Sequence, residues 1–295
     1  MNPELFIHLS TAISAATHRA FSLRSTTPIG GGSINQAYRL EGADGSRYFI
    51  KLNDAQRLPM FIAEVEGLNA IAKTNTIHAP LPIERGGACG VSYLVLEYLE
   101  LSSRGDAELL GEQLAALHRC TREKFGFAQD GFIGTTPQQN GWQDDWIEFW
   151  RERRLGFQLR LAAKNGYGGQ LQVLGARLLE VLPTFFVGYT PQPSLLHGDL
   201  WSGNHAFFED GTPTIFDPAT YYGDRECDLA MTELFGGYPA SFYAAYRAAY
   251  PLDAGYTARR DLYNLYHILN HANLFGGGYV RQAEQMMSKL LNECA

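Results

Sequence analysis

The sequence predicts an α+β fold in two parts, a β-rich N-terminal third and a mainly helical remainder. Two observations support this prediction. Strand-type patterns dominate before residue 100, with one helix inserted among them. After about residue 105 the apolar residues recur at helical spacing, apart from a short β-like stretch at 195–216. We therefore divide the chain into 1–100 and 101–295 and expect a ligand cleft where the two parts meet.

The N-terminal part begins with an amphipathic helix, for which Pro3 is well suited to the first turn. The first two strands are separated by Asp44-Gly45, a turn signal. A β-branched and aromatic run then predicts a buried strand. The predicted elements are a helix over 3–17, strands at about 34–40 and 47–52, a helix over 60–73 and a strand over 92–98.

The C-terminal part contains mostly helical patterns. Its β-like stretch includes a predicted hairpin, in which Asp210-Gly211 separates 206–209 from 214–216. The predicted helices lie around 110–117, 146–150, 171–182, 226–235, 241–250, 258–274 and 280–292.

Composition narrows the class of protein. The 24 Lys and Arg residues are outnumbered by 31 Asp and Glu, and the formal net charge is -7, whereas duplex-binding proteins usually carry a basic excess. We therefore expect no nucleic-acid partner. The apolar runs are too short to cross a bilayer and no signal-peptide pattern is visible, so we expect no membrane partner and a cytoplasmic location. The four cysteines form no CxxC pair and are expected to be reduced thiols. Both a monomer and a homodimer are compatible with the sequence.

The segment 197–204, HGDLWSGN, contains a spacing with chemical meaning. Kinase catalytic loops separate a base Asp from a metal-binding Asn by the interval that separates Asp199 from Asn204. Asp217 follows an apolar strand, where an unpaired carboxylate is costly. Because Mg²⁺ prefers hard oxygen ligands, Asn204 and Asp217 are candidate metal ligands, and Asp199 is the candidate base. The alternative is that these residues only shape turns and cap an element.

The N-terminal part offers groups that suit a phosphate. Gly30–Gly32 and Ser33 allow backbone N–H groups to approach an anion, although the loop matches no standard phosphate motif and a plain turn is the alternative. Lys51 lies in an apolar strand and needs an anionic partner. Glu64 and Glu66 on the following helix are candidates, as kinases require such a pair. The alternative for Lys51 is an exposed position on an edge strand.

Taken together, these residues resemble the fructosamine kinase (ketosamine-3-kinase) family, a branch of the aminoglycoside-phosphotransferase-like enzymes. The resemblance covers nearly the whole chain. The HGD-x4-N core alone would indicate only the superfamily, whereas HGDLWSGN together with NGWQDDW is much more specific. The matching stretches are HGDLWSGN (197–204), DPATYYGDRECDLAM (217–231), FGGYP (235–239), KFGF (124–127), NGWQDDWIEFWRERRL (140–155) and LNHANLFGGGY (269–279).

The resemblance implies a bilobal protein-kinase-like fold with ATP bound between the lobes. It implies transfer of the γ-phosphate to the 3-hydroxyl of a ketoamine sugar on an amine, a deglycation route because the resulting ester is unstable. Asp199 would be the base, Asn204 and Asp217 would hold Mg²⁺, and Trp201 would face the sugar. The implied nucleotide contacts are Gly31, Gly32, Ser33, Lys51, Glu64 and the backbone of Glu97 and Leu99.

Two other functions stay open. One is a phosphotransferase of the same fold that acts on an aminoglycoside or choline, and the other is a pseudokinase that binds nucleotide without catalysis. The acidic pair Asp144-Asp145 either meets the cationic amine of a substrate or begins a helix. His267 and His271 either line the sugar side of the cleft or pack in the helical lobe.

Overall fold

A computed structural model describes residues 2–30 and 34–294 and has the predicted α+β architecture. The N-terminal part is an antiparallel five-stranded sheet of order β1-β2-β3-β5-β4. Its elements are α1 (Pro3–Thr17), β1 (Leu23–Ile29), β2 (Gln36–Gly42), β3 (Arg47–Asp54), α2 (Leu58–Ala72), β4 (Pro82–Ala88) and β5 (Val91–Glu97). The elements that follow are α3 (Ala107–His118), β6 (Gly131–Ile133), β7 (Thr136–Gln138), α4 (Trp146–Trp150), α5 (Gly156–Lys164), α6 (Gln170–Val181), β8 (Ser194–Leu196), β9 (His205–Phe207), β10 (Pro213–Ile215), β11 (Tyr221–Gly223), α7 (Glu226–Leu234), α8 (Ala240–Ala249), α9 (Tyr256–Phe275) and α10 (Gly278–Glu293).

The sheet is covered on both faces, and this arrangement places one lysine in the cleft. Helix α1 packs its buried residues, including Leu9, against Ile50 and Leu52 of β3. Because side chains alternate along a strand, Phe49 and Lys51 point to the opposite face, where they line the cavity between the two parts. Lys51 is therefore buried on a central strand, and the alternative of an exposed edge position is wrong.

The two edge strands, β1 and β4, were not predicted. Strand β1 includes Pro28 near its end, and β4 begins with Pro82 and contains Gly86-Gly87. Proline and glycine are depleted in strands and are tolerated at sheet edges, so local propensity gave no strand signal. Because β1 precedes the glycine cluster, that loop joins two paired strands instead of a helix and a strand as expected.

Four three-residue strands position the loops of the C-terminal part. The predicted hairpin around Asp210-Gly211 is confirmed as β9 and β10. Strand β8 leads into 197–204, and β11 follows 217–220. Since Leu196 of β8 pairs with Tyr221 of β11, the two loops leave this short ladder side by side.

A continuous apolar core joins α2 to the loops of the C-terminal part. Phe61 of α2 and Leu96 of β5 belong to the same buried cluster as Leu200 and Ile215. Strand β5 ends at Glu97 and α3 begins at Ala107, and the domain boundary near residue 100 stays a prediction.

Two further sequence expectations concern cysteines and membranes. All four cysteines, Cys89, Cys120, Cys227 and Cys294, are free thiols. Within the described ranges, no helix is both long enough and apolar enough to span a bilayer.

Candidate active site

A cavity of about 620 Å³ lies between the sheet and the helical part of the chain. Gly31, Gly32 and Ser33 lie outside the described residues, but their neighbours Gly30 and Ile34 line this cavity. The remaining predicted site residues all line it: Lys51, Glu64, Glu97, Leu99, Asp199, Trp201, Asn204 and Asp217. Residues distant in sequence thus meet in one space, and their roles stay predictions.

Lys51 forms a buried ionic cluster with two carboxylates. Its Nζ donates to Glu64 Oε1 at 2.6 Å and also to Asp217 Oδ1. Burial opposes the charge of Lys51, but Asp217 and Glu64 outweigh it and raise the pKa of the lysine. The lysine therefore keeps its charge at every physiological pH. Glu66, the other candidate partner, is exposed to solvent.

The loop 199–204 folds back on itself and brings Asp199 next to Asn204. The Asn204 Nδ2 donates to the Asp199 carbonyl at 2.8 Å and lies 3.4 Å from its Oδ2, and the Asn204 N–H donates to the Trp201 carbonyl. Burial raises the pKa of Asp199 to about 7, and the negative charges of Asp217 and Asp228 add to this shift. A carboxyl group with this pKa is well matched to accept a proton near neutral pH.

His197 supports this loop. Its Nε2 lies 2.9 Å from the Phe216 carbonyl, and its Nδ1 accepts the Asp199 N–H at 3.2 Å. An acceptor Nδ1 and a donor Nε2 define the neutral Nε2–H tautomer. Burial lowers the pKa of His197, which favours the same neutral form. His197 therefore joins the two loops through its two ring nitrogens.

Asp228 is a functional residue that the sequence analysis quoted but did not single out. Its two oxygens accept the N–H groups of His197 at 2.7 Å and Gly198 at 2.8 Å. Its Oδ2 also accepts a hydrogen bond from His118 Nε2 across 3.1 Å in a buried contact. The carboxylate anchors the start of the loop 197–204, and only its position in the motif DPATYYGDRECDLAM suggested a role.

Unusual backbone conformations occur where the two loops meet. Gly198 has φ 86°, and a Cβ there would lie 2.1 Å from the Ala219 carbonyl oxygen. Asp217 has φ 58°, a left-handed conformation that aspartate adopts more readily than most residues. Such conformations cost about 1–3 kcal/mol and concentrate at functional sites. The conformation places a half-exposed Asp217 side chain in the cavity.

The donor set of Asn204 and Asp217 fits a divalent cation. Since Nδ2 of Asn204 is directed at Asp199, its Oδ1 is left for another partner, and no described side chain donates to it. In the ranges 2–30 and 34–294, no three His, Cys, Asp or Glu side chains are arranged to hold a metal by themselves. Two oxygen ligands completed by phosphate oxygens and water suit Mg²⁺.

The segment after β5 contributes the base-binding candidates. The Glu97 N–H donates to the Leu81 carbonyl at 3.0 Å, and Glu97 Oε1 accepts the Leu81 N–H at 2.7 Å. The backbone N–H and the side chain of Glu97 are thus both engaged by Leu81, and Leu99 also lines the cavity.

Trp201 lies at the open side of the cavity and is 37% exposed. Any side chain at Gly203 would come within 2.2 Å of its ring, so the indole packs directly on that glycine. The Tyr238 hydroxyl donates to the Trp201 carbonyl at 3.2 Å. The ring is thus held in place with one surface available to a ligand.

One segment that lines the cavity was not predicted from the sequence. Residues 127–140, which include the β6–β7 hairpin, supply several lining positions, among them Asp130, Phe132 and Asn140. Gln138 ties this hairpin to the loop after Asp217, because its Nε2 donates to the Ala219 carbonyl at 3.0 Å. Three-residue strands give almost no periodic signal, which is why the hairpin escaped prediction.

The residues left open by the sequence lie away from the reactive groups. Asp145 caps α4 by accepting the Glu148 N–H at 2.8 Å, and Asp144 pairs with the exposed Lys124. His271 Nδ1 lies 2.8 Å from the His267 carbonyl, so this pair is not directed at a shared metal. Burial lowers the pKa of His267 to about 3, and the residue packs as a neutral side chain in the helical lobe.

The class of protein follows from the relation between sheet, helix and loop. Protein-kinase-like phosphotransferases hold a strand lysine against a glutamate of the next helix, above an Asp-x4-Asn loop. Lys51 of β3, Glu64 of α2 and the 199–204 loop have this relation. The chain is therefore a kinase of this bilobal fold.

The comparisons identify the family. The sequence model described as Fructosamine kinase matches residues 5–293, so the chain belongs to the fructosamine kinase family. A Synechocystis protein named "Probable ketoamine kinase" is 49% identical over 96% of both chains. The Arabidopsis thaliana chloroplastic protein-ribulosamine 3-kinase is 42% identical over 92% of this chain and 84% of its own.

Solved structures agree with this assignment. A crystal structure from Haemophilus somnus 129PT, described as a candidate fructosamine-3-kinase, has a TM-score of 0.87 at 30% identity, covering 97% of this chain and 99% of its own. The ADP-bound aminoglycoside phosphotransferase APH(2'')-Ib has a TM-score of 0.65 at 12% identity, covering 98% and 99%. At that identity the likeness shows the fold alone.

Proposed function

We propose that this kinase uses ATP and Mg²⁺ to phosphorylate the 3-hydroxyl of ketoamine sugars, such as fructosamines and ribulosamines, carried on amines. The observation that carries the proposal is the convergence of Lys51, Asp199, Asn204 and Asp217 on one cavity. Family membership and relatives named ketoamine kinase and protein-ribulosamine 3-kinase support the acceptor class.

In this proposal the nucleotide occupies the side of the cavity below the sheet. Lys51, kept charged by its two carboxylates, contacts the α- and β-phosphates, and Glu64 fixes its position. The adenine lies against the segment after β5, with the Glu97 carbonyl and the Leu99 backbone as partners. Gly31, Gly32 and Ser33 would contact the phosphates through their backbone N–H groups.

Asn204 and Asp217 would hold Mg²⁺ with side-chain oxygens. When bound, the cation neutralises negative charge on the phosphate oxygens during transfer. The chain itself prepares this site, since the Asn204 amide is oriented by Asp199 and the Asp217 backbone turns its carboxylate toward the cavity.

Asp199 acts as the base in the proposed reaction. Its carboxylate accepts the proton of the 3-hydroxyl as that oxygen forms a bond to the γ-phosphorus. The bond from the γ-phosphorus to the bridging oxygen breaks at the same time, and ADP leaves. The pKa of about 7 means that the carboxylate is available at neutral pH and still basic enough to take the proton. Trp201 offers an apolar surface to the sugar.

An acceptor panel with ATP and Mg²⁺ tests the proposal. With fructosyl-lysine or ribulosyl-lysine as acceptor, the enzyme should form one ADP for each acceptor phosphorylated. NMR should show the new phosphate on O3. The matched control is a 3-deoxy ketoamine, which lacks only the accepting hydroxyl and should give no product. Transfer to kanamycin or choline alone would contradict the acceptor class. Nucleotide binding with no transfer to any acceptor would indicate a pseudokinase instead.

The substrate is proposed to be a small ketoamine or a glycated protein, encountered in the cytoplasm. The four free thiols are compatible with a reducing compartment. Comparing free ribulosyl-lysine with a ribulosylated protein in the same assay separates the two substrate sizes, and cell fractionation tests the location.

A further inference from the structure

The proposed substrate brings a positive charge into the cavity. The nitrogen of a ketoamine is a secondary amine and is protonated at neutral pH, as alkyl amines are. It is bonded to C1, two carbons from the C3 that carries the accepting hydroxyl. Standard bond lengths place it at most about 5 Å from that oxygen. A carboxylate that faces this nitrogen can form a charge-assisted hydrogen bond with it.

Most carboxylates of the cavity are already engaged. The acidic residues that line it within the described ranges are Glu64, Glu97, Asp130, Asp199 and Asp217. Lys51 occupies Glu64 and Asp217. Glu97 accepts the Leu81 N–H, and its Oε1 also lies 3.7 Å from His78 Nε2. Asp199 is required for proton transfer. Asp130 is the carboxylate that has no such role.

Asp130 is held in place by a rigid platform. Its Oδ1 accepts the Asn140 N–H at 2.8 Å, while no described residue donates to its Oδ2. The Asn140 side chain accepts from the buried guanidinium of Arg154 at 2.8 Å, and the same guanidinium donates to the Gln139 carbonyl at 2.6 Å. Arg154 in turn lies 4.1 Å over the ring of Tyr221. One oxygen of Asp130 is thus fixed and the other remains available.

Two hydrogen bonds connect the same platform to the loop 197–204. Gln138 Nε2 donates to the Ala219 carbonyl at 3.0 Å, and the Ala219 N–H donates to the His197 carbonyl at 2.8 Å. His197 is two residues from Asp199. Asp130 and Asp199 therefore line one cavity from the two sides of this short bridge.

From these contacts the structure assigns Asp130 as the counter-charge for the cationic amine of the acceptor. This assignment rests on the proposed function and deepens it, since it makes the enzyme select sugars carried on amines over neutral sugars. Asp144 and Asp145 do not compete for the role, because one pairs with exposed Lys124 and the other caps α4.

Two acceptors that differ in one group test the assignment. One is fructose with a 1-alkylamino group, and the other is the ether of equal length, with oxygen in place of the amine. For wild type we expect a KM for the amine tenfold to a hundredfold below that for the ether, the usual effect of one charge-assisted hydrogen bond. Asp130→Asn should raise the KM for the amine, so that the ratio of the KM for the ether to the KM for the amine falls to about one.

Matched variants complete the design. Asp144→Asn removes the same charge outside the cavity and should keep the wild-type ratio. Asp130→Glu retains the charge and should restore part of the preference. Circular dichroism and thermal melting report whether each variant is folded, and Asp130 is exposed enough that the asparagine should be tolerated.

The outcomes are distinguishable. If Asp130→Asn keeps the wild-type ratio, or lowers kcat equally for both acceptors, the assignment of Asp130 is overturned while the proposed function stands. If wild type itself does not discriminate between amine and ether, the assignment is again overturned. If wild type phosphorylates neither acceptor, the proposed function fails.

Discussion

Replacing Asp199 by asparagine should reduce activity and increase stability at the same time. The amide keeps the shape of the side chain and one oxygen for the contact with Asn204, but it cannot accept a proton. Turnover should fall by about two to four orders of magnitude, the usual contribution of a positioned general base. Unchanged turnover would remove Asp199 from the mechanism.

The gain in stability follows from the pKa of the carboxyl group. Folding raises the pKa of Asp199 from 3.8 to about 7, because burial and two nearby negative charges disfavour the ionised form. The folded state therefore keeps a proton that the unfolded state loses, and wild-type stability decreases as pH rises through this window. Between pH 5 and pH 7 the pH changes by about two units, and each unit lowers the free energy of unfolding by at most about 1.36 kcal/mol. The loss of stability is therefore at most about 2.7 kcal/mol. Since water reaches part of the carboxylate, we expect about 1–2 kcal/mol.

Urea unfolding at pH 5 and pH 8 measures this effect. The free energy of unfolding of Asp199→Asn, relative to wild type, should be larger at pH 8 than at pH 5. The control is Glu209→Gln, which removes the same charge at an exposed position and should show no pH-dependent difference. If the free energy of unfolding of Asp199→Asn relative to wild type is equal at both pH values, or smaller at pH 8, the raised pKa of Asp199 does not affect stability as stated.

Three further predictions address the remaining parts of the site. Lys51→Ala removes the cation that pairs with Glu64 and Asp217 and should raise the KM for ATP at least tenfold; an unaltered KM would contradict the proposed phosphate contact. Gly198→Ala would place a Cβ 2.1 Å from the Ala219 carbonyl oxygen in a left-handed conformation, so we expect a loss of about 2–4 kcal/mol in urea unfolding, and near-neutral stability would contradict the tight packing. Wild-type kcat/KM should rise with pH through about 7 as Asp199 loses its proton, and a flat profile between pH 6 and pH 8 would argue against this base.

Residues whose role depends on local spacing could be predicted from the sequence. Asp199 and Asn204 lie in a single loop, so their spacing can be read directly from the sequence. Asp217 follows a short hairpin that the turn signal Asp210-Gly211 predicts. Lys51 could be recognised because a charged residue inside an apolar strand demands a partner. For these residues, the chemistry and the fold are encoded within a few positions of the chain.

Residues whose role depends on distant contacts could not be predicted. Asp130 could be singled out only from the structure. There the Asn140 N–H binds one of its oxygens, and the residues around the β6–β7 hairpin line the cavity. Asp228 holds backbone N–H groups thirty residues earlier, a contact with no local sequence signal. The choice between Glu64 and Glu66 as the partner of Lys51 likewise required the orientation of α2.

The carboxylate of Asp228 links the position of the proposed base to its basicity. Both of its oxygens are needed, since one accepts the His197 N–H and the other the Gly198 N–H. An asparagine offers a single acceptor oxygen and would set an N–H group of its own against one of these donors. Burial does most to raise the pKa of Asp199, and the charge of Asp228 adds to it. The side chain that fixes the loop therefore also helps to keep the neighbouring carboxyl group basic enough to take a proton from the proposed acceptor.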